Sequence, residues 1–219
     1  MTGIATALEA DAQAVGVALL ASELDAIMTY AGLLARWNKA IRLVGPDDLQ
    51  TIVREQVVDA LGFIPALRAS SAPSWLDIGA GGGLPGIVAA ALLPERRFVL
   101  VEPTAKKTAF LSAAAAALEL RNATIHQGRV TAKGGVQPLL PTAVGQPRAA
   151  LSRATFAPPE WIALARPLVG QGGEVLIATA TEDEMPTDIL DDPATRRWAY
   201  RIPATGAPRL LYLAVVGDE

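Results

Sequence analysis

The segment LDIGAGGGLPG, residues 76–86, places four glycines within five residues, and this cluster constrains the fold more than any other feature of the chain. A glycine inside a helix or strand costs about 0.5–1 kcal/mol relative to alanine, so such a cluster indicates a loop of special geometry. The apolar residues SWLDI lead into it and the alanine-rich residues GIVAAALL lead out of it. The sequence therefore predicts a strand, a tight glycine loop and a helix in succession.

Short apolar runs continue to alternate with amphipathic stretches through the rest of the sequence. This alternation predicts an α/β fold, in which a mostly parallel, Rossmann-like sheet carries helices on both faces. The expected strands are 75–78, 97–101, 124–126, 149–152, 174–178 and 210–216, and the expected helices are 86–93, 105–120 and 159–168. Several prolines and glycines between Gly134 and Pro147, Pro141 among them, predict a loop between the third and fourth strands.

The first seventy residues lack this alternation and predict helices instead. Ser22 with Asp25 resembles a capping box ahead of apolar residues at helical spacing, and a second helix is expected over 48–67. Residues 69–73, rich in Ser, Ala and Pro, are the expected connection between these helices and the first strand. We therefore expect an N-terminal helical extension over residues 1–70 and a ligand-binding domain over residues 71–219.

The composition excludes several classes of protein. With no cysteine, the chain has no disulfide, no thiolate nucleophile and no zinc–thiolate site. No apolar run reaches the roughly 18 residues of a membrane span, and the apolar residues 12–21 follow acidic rather than basic residues, unlike a signal peptide. These features predict a cytoplasmic protein without a membrane partner. The formal net charge is −3, but six acidic residues lie within 182–192 and seven basic residues within 96–133, so one face can be basic.

The glycine loop and a nearby carboxylate indicate the kind of ligand. In a doubly wound sheet, ligands lie beyond the carboxyl ends of the strands. Gly79, Gly81 and Gly83 would let the backbone turn sharply and approach a ligand without a Cβ in the way. Glu102 ends the next expected strand, where its carboxylate can accept hydrogen bonds from both hydroxyls of a ribose. Together these residues predict a cofactor that contains adenosine.

Two adenosine cofactors are compatible with this loop. Residues 81–86 satisfy the G-x-G-x-x-G pattern of dinucleotide-binding folds, which leaves an NAD-binding oxidoreductase as an alternative. However, Pro85 has no N–H to offer a pyrophosphate, and the carboxylate of Asp77 would repel phosphates. S-adenosylmethionine (SAM) carries a sulfonium cation and no phosphate, so an acidic residue beside the glycine loop favours it.

The motifs resemble those of a known family. DIGAGGGLPG is similar to the D-x-G-x-G-x-G-L-P-G signature of the bacterial small-subunit ribosomal RNA methyltransferase G family, also called the glucose-inhibited division protein B family. Upstream, WNKAIRLV resembles W-N-K-x-x-N-L-T, and EQVVDA resembles R-H-x-x-D-S and retains Asp59. Downstream, GRV and SRA match S-R-V and S-R-A, which supply Arg129 and Arg153. The motifs cover about residues 30 to 155 in the family's order.

The resemblance implies a class I methyltransferase domain, and methyl transfer from SAM to N7 of a guanine in 16S rRNA, with that RNA or the 30S subunit as partner. It implies that Glu102 holds the ribose, and that Val130 and Thr131 contact the adenine. The expected cofactor-binding residues are Asp77, Gly79, Gly81, Gly83, Leu84, Glu102, Val130, Thr131 and Arg153, and the expected catalytic residues are Arg153 and Arg129. A structural ion pair of Arg153 with Asp59 or Glu160 is the alternative.

Several positions depart from the family pattern. Its Asn and Thr in N-L-T are Arg42 and Val44 here, and its R-H is Glu55-Gln56. Its acidic residue after R-V is Thr131, and its Lys-Gly after the fifth strand is Thr179-Ala180. Several of the family residues that are replaced here are polar or basic. A diverged paralogue that methylates a small molecule or a protein is therefore an alternative, as is a module that binds SAM without turnover.

The chemistry of N7 methylation suits this composition. N7 of neutral guanine has an in-plane lone pair and no proton, so its methylation needs no general base and no cysteine nucleophile. The single histidine, His126, falls at an expected strand end, where a packing role is expected, and one histidine makes no metal site. We expect a monomer that holds no metal.

Overall fold

The computed structural model describes residues 2–131, 135–140, 145–153 and 155–217. Gly134 and Pro141 of the expected loop lie outside these residues, as do Lys133 and Ala154. The strands are β1 (Ser74–Ile78), β2 (Arg97–Glu102), β3 (Ala123–Gln127), β4 (Arg129–Val130), β5 (Val136–Gln137), β6 (Ala149–Leu151), β7 (Glu174–Thr179), β8 (Arg196–Arg201) and β9 (Pro208–Val215).

The main sheet has the strand order β3-β2-β1-β6-β7-β9-β8. The strands from β3 to β7 are parallel, and β9 and β8 run antiparallel at one edge. This arrangement confirms the expected mostly parallel sheet. The chain moves outward from β1 to β3 on one side and returns to β6 on the other. The topological switch therefore falls between β1 and β6, where ligands bind in such folds.

Helices surround this sheet. They are α1 (Thr2–Ala14), α2 (Ala21–Ile41), α3 (Leu49–Thr51), α4 (Val58–Leu61), α5 (Ile64–Ala69), α6 (Gly86–Leu92), α7 (Ala105–Ala117), α8 (Pro158–Val169) and α9 (Thr187–Leu190). A π-helical stretch, Ile52–Val57, joins α3 to α4, and a 3₁₀ turn, Glu182–Glu184, precedes α9. None of the helices that the structure describes is long and apolar enough to cross a membrane.

Alternate residues of the central strands supply two separate hydrophobic cores. Trp75 and Phe98 point to one face, where they pack with α1 to α7, whereas Leu76 and Val99 point to the other and pack with α8. This period-two alternation into two apolar layers is what a parallel sheet covered on both faces requires. The acidic residues 182–192 are not a loose tail, because Met185 and Ile189 between them are buried in the second core.

The N-terminal helices share a core with the sheet. Leu8, Ile27 and Leu34 belong to the same buried cluster as Trp75 and Leu100. Residues 2–70 are thus mostly helical, as expected, and they cover one face of the sheet together with α6 and α7. The division into an extension over 1–70 and a domain over 71–219 stays a prediction about folding units.

Three details of the expected helices are wrong. The helix over 21–41 begins at Ala21, not behind a Ser22–Asp25 capping box, because Glu23 Oε2 accepts the hydrogen bond from Leu20 N at 2.7 Å. The expected helix 48–67 breaks after Leu61, where Pro65 in the first turn of α5 has no N–H to continue the ladder. Helix α7 ends at Ala117 instead of 120, since Glu119 adopts a left-handed backbone with φ +53°.

Candidate active site

The glycine loop joins the carboxyl end of β1 to the start of α6. Gly79, Gly81 and Gly83 have φ values of +73°, +54° and +81°, which side chains other than glycine rarely adopt. The N–H groups of Gly79 and Ala80 both donate to Val101 O of β2, at 2.9 and 3.2 Å. The loop is therefore held across the carboxyl ends of β1 and β2, as the sequence predicts.

The glycines differ in what lies beside them. A Cβ on Gly81 would meet only Gly79 O, at 3.7 Å, so the space beside this residue is open. A Cβ on Gly79 would lie 2.8 Å from Thr155 Oγ1, and one on Gly83 would lie 2.5 Å from Ile87 Cγ1. Gly81 is thus the glycine of this group whose missing side chain leaves room for a ligand, whereas Gly79 and Gly83 make room for protein atoms.

The side chain of Asp77 fixes the end of the glycine loop by a hydrogen bond. The residue is 1% exposed, and its Oδ2 accepts a hydrogen bond from the backbone N–H of Gly86, the first residue of α6, at 2.9 Å. Burial raises the pKa of Asp77 to about 7, although the Gly86 N–H and the nearby Arg153 guanidinium lower it. A Cβ on Gly86 would lie 2.4 Å from Asp77 Oδ2, so this contact requires glycine at residue 86.

Glu102 occupies the matching position at the end of β2. Its Oε2 accepts from Gly81 N at 3.0 Å, and its Oε1 accepts from Thr104 N at 2.9 Å. A carboxylate offers about four acceptor positions, so further lone pairs are available to a ligand's hydroxyl groups. Glu102 therefore holds the glycine loop in place and presents negative charge beside it.

Tyr30 ties the N-terminal helices to this loop. Its side chain is fully buried, and its hydroxyl donates a hydrogen bond to Gly82 O. Burial, together with the nearby Asp77 carboxylate, raises the pKa of Tyr30, so the hydroxyl keeps its proton. No sequence pattern points to this contact, because the two residues are 52 positions apart.

The residues expected to hold the adenine lie on a small hairpin after β3. Arg129 and Val130 of β4 pair with β5, and Thr131 N donates to Gly135 O at 2.7 Å. Val130 is half-buried against the second core, whereas Arg129 is exposed and forms no ion pair with any described residue. His126 is buried below the hairpin, with Nε2 2.8 Å from Pro138 O, and this confirms its packing role.

Arg153 forms part of a buried ion network centred on Asp59. Its Nη1 lies 2.9 Å from Asp59 Oδ2, and Arg209 Nε lies 3.0 Å from Asp59 Oδ1. The Tyr200 hydroxyl lies within hydrogen-bond distance of Asp59, 2.9 Å from Oδ1 and 2.8 Å from the backbone O. Burial and the Asp59 carboxylate raise the pKa of Tyr200, so it donates. The alternative pairing of Arg153 with Asp59 is therefore present.

A cleft of about 650 Å³ opens over the carboxyl ends of β6 and β7. Strand β6 pairs with β1, the strand that leads into the glycine loop. Its walls combine an aromatic surface, two arginines and two carboxylates. The lining residues are Gln56, Asp59, Phe63, Arg153, Phe156, Ala157, Pro158, Pro159, Ala178, Thr179, Ala180, Glu184 and Arg209. Phe156 stacks on Trp161, with ring centroids 5.9 Å apart and an interplanar angle of 11°. Such a cleft can hold a planar, polar ligand.

The structure brings most of the expected site residues to one edge of the sheet. Asp77, the loop glycines and Glu102 lie together, and Arg153 is close enough to Asp77 to affect its pKa. Leu84 belongs to the first core, where its side chain is 5% exposed. The sequence analysis does not identify three further residues of this site, because they lie far along the chain and no local motif marks them. They are Arg209, Tyr200 and Glu184. Among the described residues, no cluster of acidic or histidine side chains could hold a metal.

Comparison with known proteins identifies the family. The model of the family described as rRNA small subunit methyltransferase G matches residues 23–192. The chain belongs to this family. The matched range includes the glycine loop, Glu102, Asp59 and Arg153, and it ends before Arg209.

Named relatives agree with this family model. The ribosomal RNA small subunit methyltransferase G of Burkholderia pseudomallei strain 668 is 34% identical over 208 residues, which cover 93% of this chain and 88% of that protein. The protein of the same name from Burkholderia thailandensis has the same identity and coverage. The resemblance drawn from the motifs is thus confirmed over most of the chain.

Solved structures confirm the class I methyltransferase fold. The O-methyltransferase TomG from Streptomyces achromogenes, crystallised with SAM, superposes with a TM-score of 0.56 at 18% identity, over 88% of this chain and 90% of that one. A SAM-dependent O-methyltransferase from Thermotoga maritima gives a TM-score of 0.53 at 15% identity, over 79% and 71% of the two chains. At these identities the likeness shows the fold alone.

Proposed function

We propose that this protein is a SAM-dependent methyltransferase that methylates N7 of a guanine in the 16S rRNA of the small ribosomal subunit. The observation that carries the proposal is that a cofactor site and a separate cleft for an acceptor lie at the same edge of the sheet. Glu102 and the open position at Gly81 lie at the ends of β1 and β2, and the 650 Å³ cleft lies next to them over β6 and β7. Membership of the rRNA small subunit methyltransferase G family supports the choice of RNA.

The residues at the ends of β1 and β2 fit SAM. The open space beside Gly81 admits a ligand close to the backbone, and Glu102 has acceptor capacity for ribose hydroxyls. The carboxylates of Glu102 and Asp77 favour a cation, and a dinucleotide pyrophosphate would be repelled. When bound, SAM supplies an electrophilic methyl group. We propose that Val130 and Thr131 border its adenine and that Arg153 lies between the cofactor and the acceptor.

The cleft has a stacking surface and a hydrogen-bond acceptor that suit a guanine base. Phe156, supported by Trp161, provides a surface on which a base can stack. Glu184 can accept hydrogen bonds from the N1–H and N2–H₂ groups, which leaves N7 uncovered on the opposite edge of the base. Arg209, at the cleft wall, is proposed to contact a phosphate next to the target base. Arg129, exposed on the hairpin, is proposed to contact RNA rather than the reacting atoms.

No residue has to accept a proton in this reaction, because N7 carries none. The protein then acts by holding the lone pair of N7 in line with the methyl group, and orientation of this kind accounts for about 7–11 kcal/mol of barrier reduction in favourable cases. The Asp59 network holds Arg153 and Arg209 in fixed positions at the cleft wall. The target base must leave its stack to enter such a cleft.

A test uses labelled SAM with 30S particles reconstituted from two 16S transcripts, one with guanosine and one with 7-deazaguanosine, which has carbon in place of N7. The proposal expects transfer to the first particle and none to the second. Equal transfer to both would exclude N7 as the acceptor. Absence of transfer to either would exclude 16S rRNA as the substrate.

One observation favours a second candidate, a methyltransferase for a small heteroaromatic molecule. Thr179 and Ala180 line the cleft where the family pattern has Lys-Gly, so the wall there carries less charge. Methylation of small heteroaromatic compounds in the absence of any transfer to RNA would support it. Thermal unfolding with NADH and with S-adenosylhomocysteine (SAH) tests the alternative of an NAD-binding oxidoreductase. SAH should raise the melting temperature of a methyltransferase, and NADH should raise that of the oxidoreductase.

We further propose that the protein acts as a monomer in the cytoplasm, where ribosomal subunits are assembled. Among the described residues, the exposed large apolar side chains are Leu20, Leu139 and Val215, which lie in three separate segments of the chain. Apolar residues exposed singly are normal for a monomer surface. Sedimentation equilibrium would show the mass of a dimer if this proposal were wrong.

A further inference from the structure

A groove of about 730 Å³ lies beside the glycine loop, on the side away from the cleft. We call it the basic groove, because it is lined by Lys39 and Arg42 from the end of α2 and by Lys106 and Lys107 from the first turn of α7. Thr104, also in its lining, donates its backbone N–H to Glu102 at 2.9 Å. The basic groove is therefore continuous with the proposed ribose site.

The charges of this groove are not neutralised by the protein. In the ranges that the structure describes, none of the four cations forms an ion pair. Asp47 is the acidic residue in the lining, and its carboxylate accepts a hydrogen bond from Asn38 Nδ2 at 3.2 Å. Lys106 and Lys107 also stand at a helix N-terminus, where the helix dipole disfavours cations. The helix dipole therefore makes these two lysines slightly unfavourable for α7, and a bound anion would offset this effect.

The backbone conformation of Arg42 is also energetically unfavourable. Arg42 has φ +46°, in the left-handed region that glycine and asparagine adopt most readily, and it ends α2. The N-L-T motif of the family has Asn at this position. Asn38 fixes the corner, since its Oδ1 accepts from Leu43 N at 2.6 Å and from Val44 N at 2.8 Å. The chain thus carries a cation at a position where glycine or asparagine would be less strained.

We propose that the basic groove binds backbone phosphates of the RNA strand that carries the target guanine. This inference rests on the proposed function and deepens it. The four cations stand on both sides of an open groove, which suits a passing chain of phosphates better than a single enclosed anion. The carboxyl ends of β2, β1 and β6 are adjacent, at about 4.8 Å per strand. One RNA strand can therefore reach the basic groove and the cleft together.

The test compares the wild type with K106Q/K107Q and with the control R97Q/R121Q, whose exposed arginines stand at the opposite end of the sheet, at the start of β2 and just before β3. Binding of a 16S transcript is measured between 50 and 200 mM NaCl. Each phosphate contact contributes about 0.7 to 0.9 to the slope of log K against log salt, so K106Q/K107Q should lower the slope by about 1.4–1.8. SAH affinity should stay within about twofold of the wild type in both variants.

A second variant separates binding from folding. Arg42→Gly removes one cation and places glycine at a left-handed position, so it should raise the melting temperature while it weakens RNA binding. Wild-type salt dependence in K106Q/K107Q, or an equal loss in R97Q/R121Q, would overturn the inference. A wild type that binds RNA through this groove but transfers no methyl group would instead refute the proposed function alone. If the wild type binds no RNA, both are wrong.

Discussion

The hydroxyl of Tyr30, on helix α2, donates a hydrogen bond to the backbone carbonyl of Gly82 in the middle of the glycine loop. One end of this contact belongs to the N-terminal helices and the other to the strand–loop–helix unit that would hold the cofactor. The loop therefore depends for its shape on a residue outside that unit. Because Tyr30 is fully buried, water cannot replace the donor if it is lost.

Tyr30→Phe tests this dependence. The substitution leaves a buried carbonyl without its donor, so we expect the free energy of unfolding to fall by about 1–3 kcal/mol. SAH should also bind several-fold more weakly, because the loop loses a fixed point. Urea unfolding and calorimetric titration measure the two effects. Tyr212→Phe is the control, since its hydroxyl lies 3.3 Å from Glu182 Oε1, on elements that follow the glycine loop by about 100 residues. Unchanged SAH affinity in Tyr30→Phe would mean that the contact does not shape the site.

Asp77 should make stability depend on pH. Its pKa is raised from 3.8 to about 7 in the folded protein, so between these values the folded state binds more protons than the unfolded state. Stability contributed by the protonated carboxyl is then lost as the pH rises from about 4 to about 7, by up to about 4 kcal/mol. Asp77→Asn does not titrate, and its amide oxygen can still accept from Gly86 N. Its unfolding free energy relative to the wild type should rise over this range and level off above it, as urea titrations at pH 5, 6, 7 and 8 will show. A difference independent of pH would mean that Asp77 is ionised throughout.

Two glycine-to-alanine substitutions should have opposite effects. A Cβ at Gly86 would lie 2.4 Å from Asp77 Oδ2 and 3.0 Å from Leu100, so Gly86→Ala must displace the carboxylate and should cost about 2–3 kcal/mol. Gly32 lies within α2, and a Cβ there would meet nothing within 4 Å. Gly32→Ala should therefore stabilise the protein by about 0.5–1 kcal/mol. Thermal and urea unfolding compare the two; similar stability of both variants would contradict the close packing of Asp77 against α6.

Glu102→Gln keeps the size of the side chain and removes its charge and one acceptor. Gly81 N or Thr104 N then faces an amide NH₂ group in place of an oxygen. We expect SAH to bind at least tenfold more weakly, with a loss of stability of about 1 kcal/mol. Glu95→Gln, at a carboxylate whose side chain is 63% exposed, should change neither quantity. Calorimetric titration decides: retention of wild-type affinity in Glu102→Gln would remove this residue from the cofactor site.

Asp59→Asn should impair the acceptor side selectively. The substitution leaves Arg153 and Arg209 without their common counter-charge, which should cost about 2–4 kcal/mol of stability. Methyl transfer to 30S particles should fall at least tenfold in kcat/KM, while SAH affinity changes less than about threefold. Asp11→Asn breaks an ion pair with Arg54, whose side chain is 36% exposed, and should cost about 1 kcal/mol or less. Equal transfer rates in both variants would show that the network has no positioning role.

The parts of the fold that depend on local pattern could be predicted from the sequence. The glycine cluster and the apolar runs on either side of it place β1, the loop and α6 correctly, because chain direction and side-chain period act within about ten residues. Strand β8 could not be predicted in this way. It reads RRWAYR, with charged residues that suit an exposed edge strand, and it forms only by pairing with β9.

The candidate site likewise has a part that local sequence patterns predict and a part that they do not. Asp77 and Glu102 lie at the carboxyl ends of β1 and β2, and Gly81 follows β1, so their spacing in the sequence predicts that they lie close together. Arg209 meets Asp59 across 150 positions, and Glu184 reaches the cleft through a short turn after β7. No periodicity or motif encodes such contacts, because they depend on which strand lies beside which. The acceptor side was therefore the part that sequence reasoning could not assemble.

The place of Arg209 on β9 has a consequence for biosynthesis. Synthesis proceeds from the N-terminus, so Asp59 and Arg153 emerge from the translating ribosome well before their third partner. Until β9 aligns against β7, the nascent chain can contain the whole glycine loop and Glu102 while one wall of the acceptor cleft is still missing. The donor side of the site can thus be complete before the wall that Arg209 contributes to the cleft.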